Sequence, residues 1–238
     1  EIGIRALART GLDLRVPSLL VAWDLRIKTV LCCKPVILEN TAKVGGGLSI
    51  GSNDSPIFIN TEIKNNSASE TGGGIYLFEV NPVIKNLILR GNSAQYGGGI
   101  YLENSNSELF DLYIIENSAD YGGGMFFSNS DPVISNSEIV QNTSISGGGF
   151  FSNYYSNIEL NSVNISYNSA NTFGGGIDLE KGSFLRIERS LIHHNSAPIY
   201  GGGIYAWDDT QIHLIHVTIT DNFSGSGGGI TAIAESNG

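Results

Sequence analysis

The chain has 238 residues, and its 41% hydrophobic content supplies enough apolar side chains for a buried core, which excludes a disordered tail. Charged residues make up only 15%, too few for a coiled coil, and the net charge of −10 would repel the phosphate backbone of a nucleic acid. The longest apolar run, residues 16–23, is interrupted by Pro17 and is far shorter than a membrane span.

The first 44 residues differ from the rest of the chain in charge and in glycine content. Residues 1–43 carry seven basic and four acidic side chains, whereas residues 44–238 carry six and nineteen. Within residues 20–44, Asn40-Thr41-Ala42 precedes the glycine triplet at Gly45 by two residues, a pattern that recurs along the chain, so we predict a degenerate first coil there. We expect residues 1–19 to form either a cap over the end of the core or a poorly ordered segment.

The degenerate coil also contains both cysteines of the chain. We predict that Trp23 and Leu25 face inward on one strand and that Cys32 and Ile37 take two further apolar positions. Cys32 is adjacent to Cys33, and neighbouring cysteines rarely bridge, so the sequence contains neither a disulfide framework nor the spacing of a metal site. We therefore predict no cofactor and no bound metal.

A Gly-Gly-Gly triplet recurs along the rest of the chain at intervals of 25 to 27 residues. The triplets begin at Gly45, Gly72, Gly97, Gly122, Gly147, Gly174, Gly201 and Gly227. A period of this length is typical of solenoid proteins, in which each repeat buries its apolar face against the next one. We number the coils one to eight from these triplets and expect the repeats to fill residues 45–238.

Each repeat contains short segments with the alternation of a β-strand. After the third triplet, Ile100 and Leu102 flank an aromatic residue, and this order predicts a strand with one buried face. Leu109 and Ile114 lie eight and three residues before Asn117, and the same spacing recurs in the other repeats. No segment has the ten or more periodic residues of a helix. The pattern predicts an all-β parallel β-helix of eight or nine coils, with one repeat of about 26 residues per coil.

Hairpin-based folds, such as a propeller or a sandwich, are the alternative architecture. They require Asn-Gly or Asp-Gly turns between antiparallel strands, and neither dipeptide occurs before Asn237. In a parallel β-helix, by contrast, the triplets supply positive φ angles at one corner of every coil, and the recurring asparagines can stack as an amide ladder. Pro56, Pro82 and Pro132 share one position in the repeat, where we expect a coil corner or the start of a strand.

The segments Leu89–Tyr101 and Ile114–Phe126 show the repeat most clearly, as Ile/Leu-x-x-Asn-Ser-Ala-x-x-Gly-Gly-Gly-Ile/Met-aromatic. This repeat resembles that of the chlamydial polymorphic outer membrane proteins, and it is similar to those of other bacterial right-handed parallel β-helix, pectin-lyase-like proteins. It departs from the family motif by Ile or Leu in place of Phe and by a third Gly in place of Ala. The resemblance covers residues 37–232 and implies a right-handed helix, secretion and an adhesive or structural role, without catalytic residues.

Aromatic residues occupy one outward position on consecutive coils. These residues are Tyr76, Tyr101, Phe126, Phe151 and, after an interruption by Asp178, Tyr205. A second aromatic column precedes the triplets and contains Tyr96, Tyr121, Phe173 and Tyr200. Rings one coil apart can stabilise the rod by stacking. Alternatively, the first column forms an exposed strip that binds sugar rings or a partner protein.

Coils six and seven depart from the repeat pattern and carry the candidate catalytic residues of an enzyme hypothesis. These candidates are Lys181, Arg189, Asp208, Asp209 and His216. A carboxylate pair could serve a glycoside hydrolase, and an Arg or Lys could serve a polysaccharide lyase as base. The alternative is ordinary surface charge, with an exposed ion pair between Lys181 and Asp208. Asp208 and Asp209 point to opposite faces if they lie on a strand.

These observations predict a non-enzymatic, extracellular β-helical segment of a bacterial surface or secreted protein, acting as an adhesin or stalk. A polysaccharide lyase or glycoside hydrolase is the alternative hypothesis. We expect a carbohydrate or a host or cell-surface protein as partner, with no nucleic acid and no transmembrane segment. We also expect the chain to be part of a longer protein that is exposed at the outer cell surface.

Overall fold

The computed structural model describes residues 35–51 and 57–234, and within these ranges the chain forms 29 β-strands and no helix. Every strand pair in the sheets is parallel, and each strand pairs with the equivalent strand of the next repeat. The chain therefore winds once around a common axis per repeat. This parallel pairing rules out the hairpin-based alternative.

Three sheets run along the solenoid and are named here in the order in which a coil visits them after its triplet. Sheet 1 has eight strands, which follow the triplets directly: β3 Leu48–Gly51, β6 Ile75–Phe78, β9 Ile100–Glu103, β13 Met125–Ser128, β17 Phe150–Asn153, β21 Ile177–Leu179, β25 Ile204–Trp207 and β29 Ile230–Ile233. Sheet 3 has eight strands, which precede the triplets: β2 Thr41–Val44, β5 Ser67–Thr71, β8 Ser93–Tyr96, β12 Ser118–Tyr121, β16 Thr143–Ser146, β20 Ser169–Phe173, β24 Ser196–Tyr200 and β28 Phe223–Ser226.

Sheet 2 has 13 strands and receives either one long strand or two short strands from each coil. Its single strands are β1 Val36–Leu38, β4 Ile57–Lys64 and β7 Val83–Arg90. Its paired strands are β10 Glu108–Phe110 with β11 Tyr113–Ile115, β14 Val133–Ser135 with β15 Glu138–Val140, β18 Asn157–Asn161 with β19 Asn164–Ser166, β22 Phe184–Glu188 with β23 Leu191–His193, and β26 Gln211–Ile215 with β27 Thr218–Thr220. About seven full turns separate the first of the eight triplets from the last, and sheets 1 and 3 each contain one strand from each of eight coils.

The predicted apolar positions form files along the axis and fill the interior. Ile75 pairs with Ile100, which in turn pairs with Met125, and all three side chains are at most 1% exposed. The files from the three sheets meet in one continuous hydrophobic core. Because residues one period apart are vertical neighbours, every outward column of the repeat also becomes a line of side chains parallel to the axis.

The corners of the coils have left-handed backbone conformations at fixed positions of the repeat. The first glycine of each triplet has a positive φ, for example +65° at Gly97. The polar position six residues before the recurring asparagine is also left-handed, from Asn60 (φ +56°) to His216 (φ +53°). The recurring asparagine itself is not left-handed; the residue before it is, as at Glu116 (φ +55°).

The recurring asparagines form the predicted amide ladder. Nδ2 of Asn92 donates a 3.0 Å hydrogen bond to Oδ1 of Asn117, and Nδ2 of Asn117 donates an equal one to Oδ1 of Asn142. The same pattern continues from Asn40 to Asn222. The internal amides, from Asn66 to Asn195, are at most 1% exposed, so the ladder satisfies polar groups that the turn buries.

Near the start of the described residues, Ile37 pairs with Ile63, and the backbone nitrogen of Asn40 donates to Oδ1 of Asn66. The other predictions for this end fall on Trp23, Leu25, Cys32 and residues 1–19, which lie outside the described residues, as does Pro56. Pro82 and Pro132 lie immediately before β7 and β14, as expected from their lack of a backbone donor.

Candidate functional site

The aromatic column of sheet 1 stacks as predicted. Ring centroids are 5.5 Å apart for Tyr76 and Tyr101, 4.9 Å for Tyr101 and Phe126, and 5.1 Å for Phe126 and Phe151. The ring planes of the last two pairs are nearly parallel, at 6° and 13°. The parallel register causes this stacking, since it places equivalent side chains one strand spacing apart.

The second aromatic column covers the first one. Tyr96 packs edge-on against Phe126, and Tyr121 packs in the same way against Phe151, each at 5.5 Å between centroids. Phe126 and Phe151 are consequently only 5% and 3% exposed, and Tyr205, which Phe173 covers, is 6% exposed. The expectation of an exposed strip is therefore wrong at these three positions.

The triplet corner is the physical reason for this burial. A Cβ atom added to Gly147 would lie 2.6 Å from the carbonyl oxygen of Phe150 and 2.8 Å from Cβ of Phe151. The corner is thus folded so tightly that side chains leaving sheets 3 and 1 on the outer side meet in a shared groove. Alternation along a strand predicts which side chains point outward, but it does not predict whether another sheet covers them.

Tyr76 and Tyr101, the first two residues of the column in chain order, are only partly buried. The hydroxyl of Tyr76 donates a 2.7 Å hydrogen bond to Oε2 of Glu103. Burial raises the pKa of Tyr101 to about 12, and the negative charge of Glu103 acts in the same direction. Burial and the bond to Glu103 also raise the pKa of Tyr76. A binding role for the column stays a prediction at these two residues.

Asp178 interrupts the column and is completely buried. Its Oδ2 accepts a hydrogen bond from Oγ of Ser146, which stands in the second column where neighbouring coils have a ring. Its Oδ1 has no hydrogen-bond partner among the described residues. Burial raises the pKa of Asp178 well above its usual range, and the Ser146 bond opposes this only in part. The sequence showed Asp178 only as a gap in the aromatic column, although the Ser146 substitution 32 residues earlier was a visible companion signal.

Lys181, Asp208 and Asp209 lie together in the turns between sheet 1 and sheet 2. They line one shallow depression with Tyr154, Tyr155 and Gly182. Asp208 and Asp209 follow the end of β25 and do not lie on a strand, and both have left-handed backbones (φ +59° and +56°). The condition for their projection to opposite faces, a position on a strand, is therefore not met.

The expected ion pair between Lys181 and Asp208 is not formed in the described part of the chain. Nζ of Lys181 instead lies 4.4 Å from the ring centroid of Tyr154. The carbonyl oxygen of Asp208 accepts a 2.8 Å hydrogen bond from the backbone nitrogen of Gly182, so the turns are joined through the backbone.

Arg189 and His216 lie at a different place, the left-handed break between the paired strands of sheet 2. Arg189 donates a 2.8 Å hydrogen bond to Oδ1 of Asn161 and forms a 3.3 Å ion pair with Glu188. The structure thus divides the five candidate catalytic residues between two surface depressions. Lys181, Asp208 and Asp209 line the first depression, and Arg189 and His216 line the second.

His193 and His194 are neighbours on the surface near β23. Nδ1 of His193 and Nδ1 of His194 are 2.7 Å apart, and burial lowers the pKa of His193. Among the residues that the structure describes, no group of three or more His, Cys, Asp or Glu is arranged to hold a metal ion. In the same ranges no helix has the length and apolar character needed to cross a membrane.

Comparison with known proteins agrees with this architecture. A family model described as "right handed beta helix region" matches residues 33–173 and, in a second overlapping match, residues 81–238. No curated protein and no solved structure matches the chain. The family match confirms the predicted hand of the solenoid, whereas the narrower resemblance to chlamydial surface proteins stays a prediction.

Proposed function

The chain belongs to the family of right-handed β-helix proteins, and from this premise we propose that it is a non-enzymatic, extracellular segment of a bacterial surface or secreted protein. It acts as an adhesin or as a structural stalk that presents a binding face to a carbohydrate or to a cell-surface protein. Its mechanism is geometric, because the solenoid holds outward side chains at a constant spacing of about 4.8 Å per coil.

The continuous asparagine ladder is the observation that carries this proposal. Each internal rung has five bonds to neighbouring coils. Asn117, for example, accepts from the backbone nitrogen and from Nδ2 of Asn92 and donates to the carbonyl oxygen of Leu89. Its own backbone nitrogen and Nδ2 both donate to Oδ1 of Asn142. Buried amides bonded in this way resist rotation or sliding of one coil over the next. A rod of this kind suits the separation of two attachment points or the repetition of one weak contact.

Two features favour a non-enzymatic role over the lyase or hydrolase alternative. Lysine and arginine, the candidate bases, are already engaged by neighbouring groups, Lys181 with Tyr154 and Arg189 with Glu188. Asp208 and Asp209 are adjacent on one turn and lie in a different depression from Arg189 and His216. A hydrolase requires two carboxyl groups on opposite sides of the bond that it cleaves.

Two assays together test the proposed function. Antibodies raised against the purified protein should label intact cells of the source organism as strongly as permeabilised cells. Labelling that requires permeabilisation would overturn the extracellular assignment.

Incubation with acidic and neutral polysaccharides should produce neither unsaturated products nor new reducing ends. Turnover that disappears in Asp208→Asn or Arg189→Gln would overturn the non-enzymatic assignment and establish the alternative.

A further inference from the structure

We propose that the turns joining sheet 1 to sheet 2 in coils five to seven form a binding site for a neutral saccharide, with the ring of Tyr155 as its stacking platform. The inference rests on the proposed function and deepens it, since it names a ligand class and a location for the binding face. The site is separate from the aromatic columns at the triplet corner, where Phe126, Phe151 and Tyr205 are buried.

The site arises from one extra residue in each of three successive turns. In coils three and four the turn contains one left-handed residue, Asn104 or Asn129. In coils five, six and seven it contains two, and these pairs are Tyr154-Tyr155, Lys181-Gly182 and Asp208-Asp209. The longer turns stack along the axis of the rod and line one depression.

Backbone and serine hydrogen bonds fix the positions of these turns. The nitrogen of Tyr155 donates to the carbonyl oxygen of Lys181 at 3.1 Å, and the nitrogen of Gly182 donates to that of Asp208 at 2.8 Å. Buried serines close the base of two of the turns, since Ser156 Oγ donates to the Asn153 carbonyl and Ser183 Oγ to the Glu180 carbonyl. The site is therefore held rigidly before any ligand binds, which lowers the entropic cost of binding.

Tyrosine is an unusual residue for this backbone conformation. Tyr154 and Tyr155 have φ angles of +57° and +58°, a region that is sterically unfavourable for bulky side chains. The equivalent turns of coils three and four use asparagine, which tolerates it. Tyr154 and Tyr155 are nevertheless 50% and 72% exposed, so solvent contact rather than core packing surrounds these rings. Strained residues that contribute little to the core are a feature of functional sites.

Gly182 leaves space for the Tyr155 ring. A Cβ atom at this position would lie 2.6 Å from Cδ1 and from Cε1 of Tyr155, so any side chain here would displace the ring. The ring therefore lies over the backbone of the next coil and keeps its outer surface free. Nζ of Lys181 occupies the face of the neighbouring Tyr154 ring, which leaves Tyr155 as the available platform.

The charges around the platform select the class of ligand. Three acids, Glu180, Asp208 and Asp209, outnumber one base, Lys181, so a phosphate, sulfate or uronate would be repelled. Nζ of Lys181 already occupies the ring face of Tyr154 on which a cationic ligand would pack, so this ring does not provide a site for a cationic ligand. A neutral pyranose fits both the exposed ring and the neighbouring acids. Its apolar ring face packs on the aromatic ring, and its hydroxyls donate to the carboxylates.

Calorimetric titration with cellohexaose, maltohexaose and mannohexaose, and with polygalacturonate as a charged comparison, tests this site. We expect at least one neutral hexaose to bind and Tyr155→Asn to weaken that binding at least about tenfold, a loss of roughly 1.4 kcal/mol. Asparagine tolerates the left-handed backbone, so the variant removes the ring without straining the turn. Tyr155→Trp should retain binding, and Tyr113→Thr, which removes a partly exposed ring on β11, should bind as the unaltered protein does.

Three results would overturn the site: no neutral hexaose binds, Tyr155→Asn binds undiminished, or polygalacturonate binds more tightly than every neutral hexaose. Hexaose binding that survives Tyr155→Asn but is lost in Tyr76→Ala would reject this site and leave the proposed adhesive role standing. Failure of surface labelling on intact cells would reject the proposed function whatever the titrations show.

Discussion

Oγ of Ser146 donates a hydrogen bond to Oδ2 of Asp178, and this pair replaces two aromatic rings inside the groove at the triplet corner. Both residues are buried, at 3% and 0% exposure. The rings of Phe151 and Tyr205 occupy the same column on the two neighbouring coils. Burial raises the pKa of this carboxyl group, because ionisation would place a negative charge among apolar rings.

Asp178 should therefore make the protein less stable as pH rises. Its pKa is raised on folding, so the folded chain holds a proton that the unfolded chain releases above about pH 4. Stability falls by about 1.4 kcal/mol per pH unit between the unfolded and folded pKa values, until the folded group also ionises. Asp178→Asn removes this dependence and should be more stable than the unaltered protein at pH 8. Denaturant unfolding at pH 4 and pH 8 measures the difference.

The groups facing Asp178 must be considered in the same experiment. The pKa of Glu180 is also raised by burial. The pKa of Tyr205 is raised by burial and by the charges of Asp178 and Glu180. Asp209→Asn, at an exposed turn, is the matched control and should leave the pH slope unchanged. An equal slope in Asp178→Asn and the unaltered protein would show that Asp178 is already ionised when folded.

We expect a substitution in the asparagine ladder to destabilise the fold more than a substitution at an exposed polar position. Asn117→Ala leaves the backbone nitrogen and Nδ2 of Asn92, together with the carbonyl oxygen of Leu89, without their bonds to Asn117. Each unsatisfied buried group costs roughly 1–3 kcal/mol, so we expect a loss of about 3 kcal/mol or more in unfolding free energy. Asn136→Gly, at an exposed left-handed position, should change stability little. Similar losses in both variants would contradict a special role for the ladder.

Substitution of the third glycine of a triplet should destabilise the protein only where the next coil packs against that glycine. A Cβ at Gly124 would lie 2.5 Å from the carbonyl oxygen of Gly149 on the next coil. At Gly229, the same position in the last triplet, the nearest atom is Cγ2 of Ile219 at 3.6 Å. Gly124→Ala should therefore destabilise the protein by about 1–3 kcal/mol or prevent folding, and Gly229→Ala should be tolerated. Thermal unfolding of the two variants compares them, and equal midpoints would reject steric contact between coils as the reason for the triplet.

The buried rings of the first aromatic column should stabilise the rod rather than bind a ligand. Phe126 stacks between Tyr101 and Phe151 and is covered by Tyr96. Phe126→Leu keeps an apolar side chain but loses these ring contacts, each worth about 0.5–1.5 kcal/mol. We expect a lower unfolding midpoint and unchanged binding to any glycan that the protein recognises. Loss of glycan binding in Phe126→Leu without loss of stability would show that the column binds the glycan.

The periodic features of this chain were predictable because each depends on spacing alone. In a parallel solenoid the neighbour of a residue is the equivalent residue of the next repeat, so Ile75, Ile100 and Met125 could be placed in one file without coordinates. The same reasoning placed the rings of Tyr101 and Phe126 one above the other and the amides of Asn92 and Asn117 within bonding distance.

Features that depend on how the three sheets meet could not be obtained in this way. The burial of Phe126, Phe151 and Asp178, and the separation of Asp208 from Arg189, follow from the angles at the corners. Repeat spacing sets the height of a residue along the axis and its inward or outward direction. The distance between outward side chains on different sheets is set by the left-handed turns and by the close backbone contact at the triplets, and only the folded chain combines these.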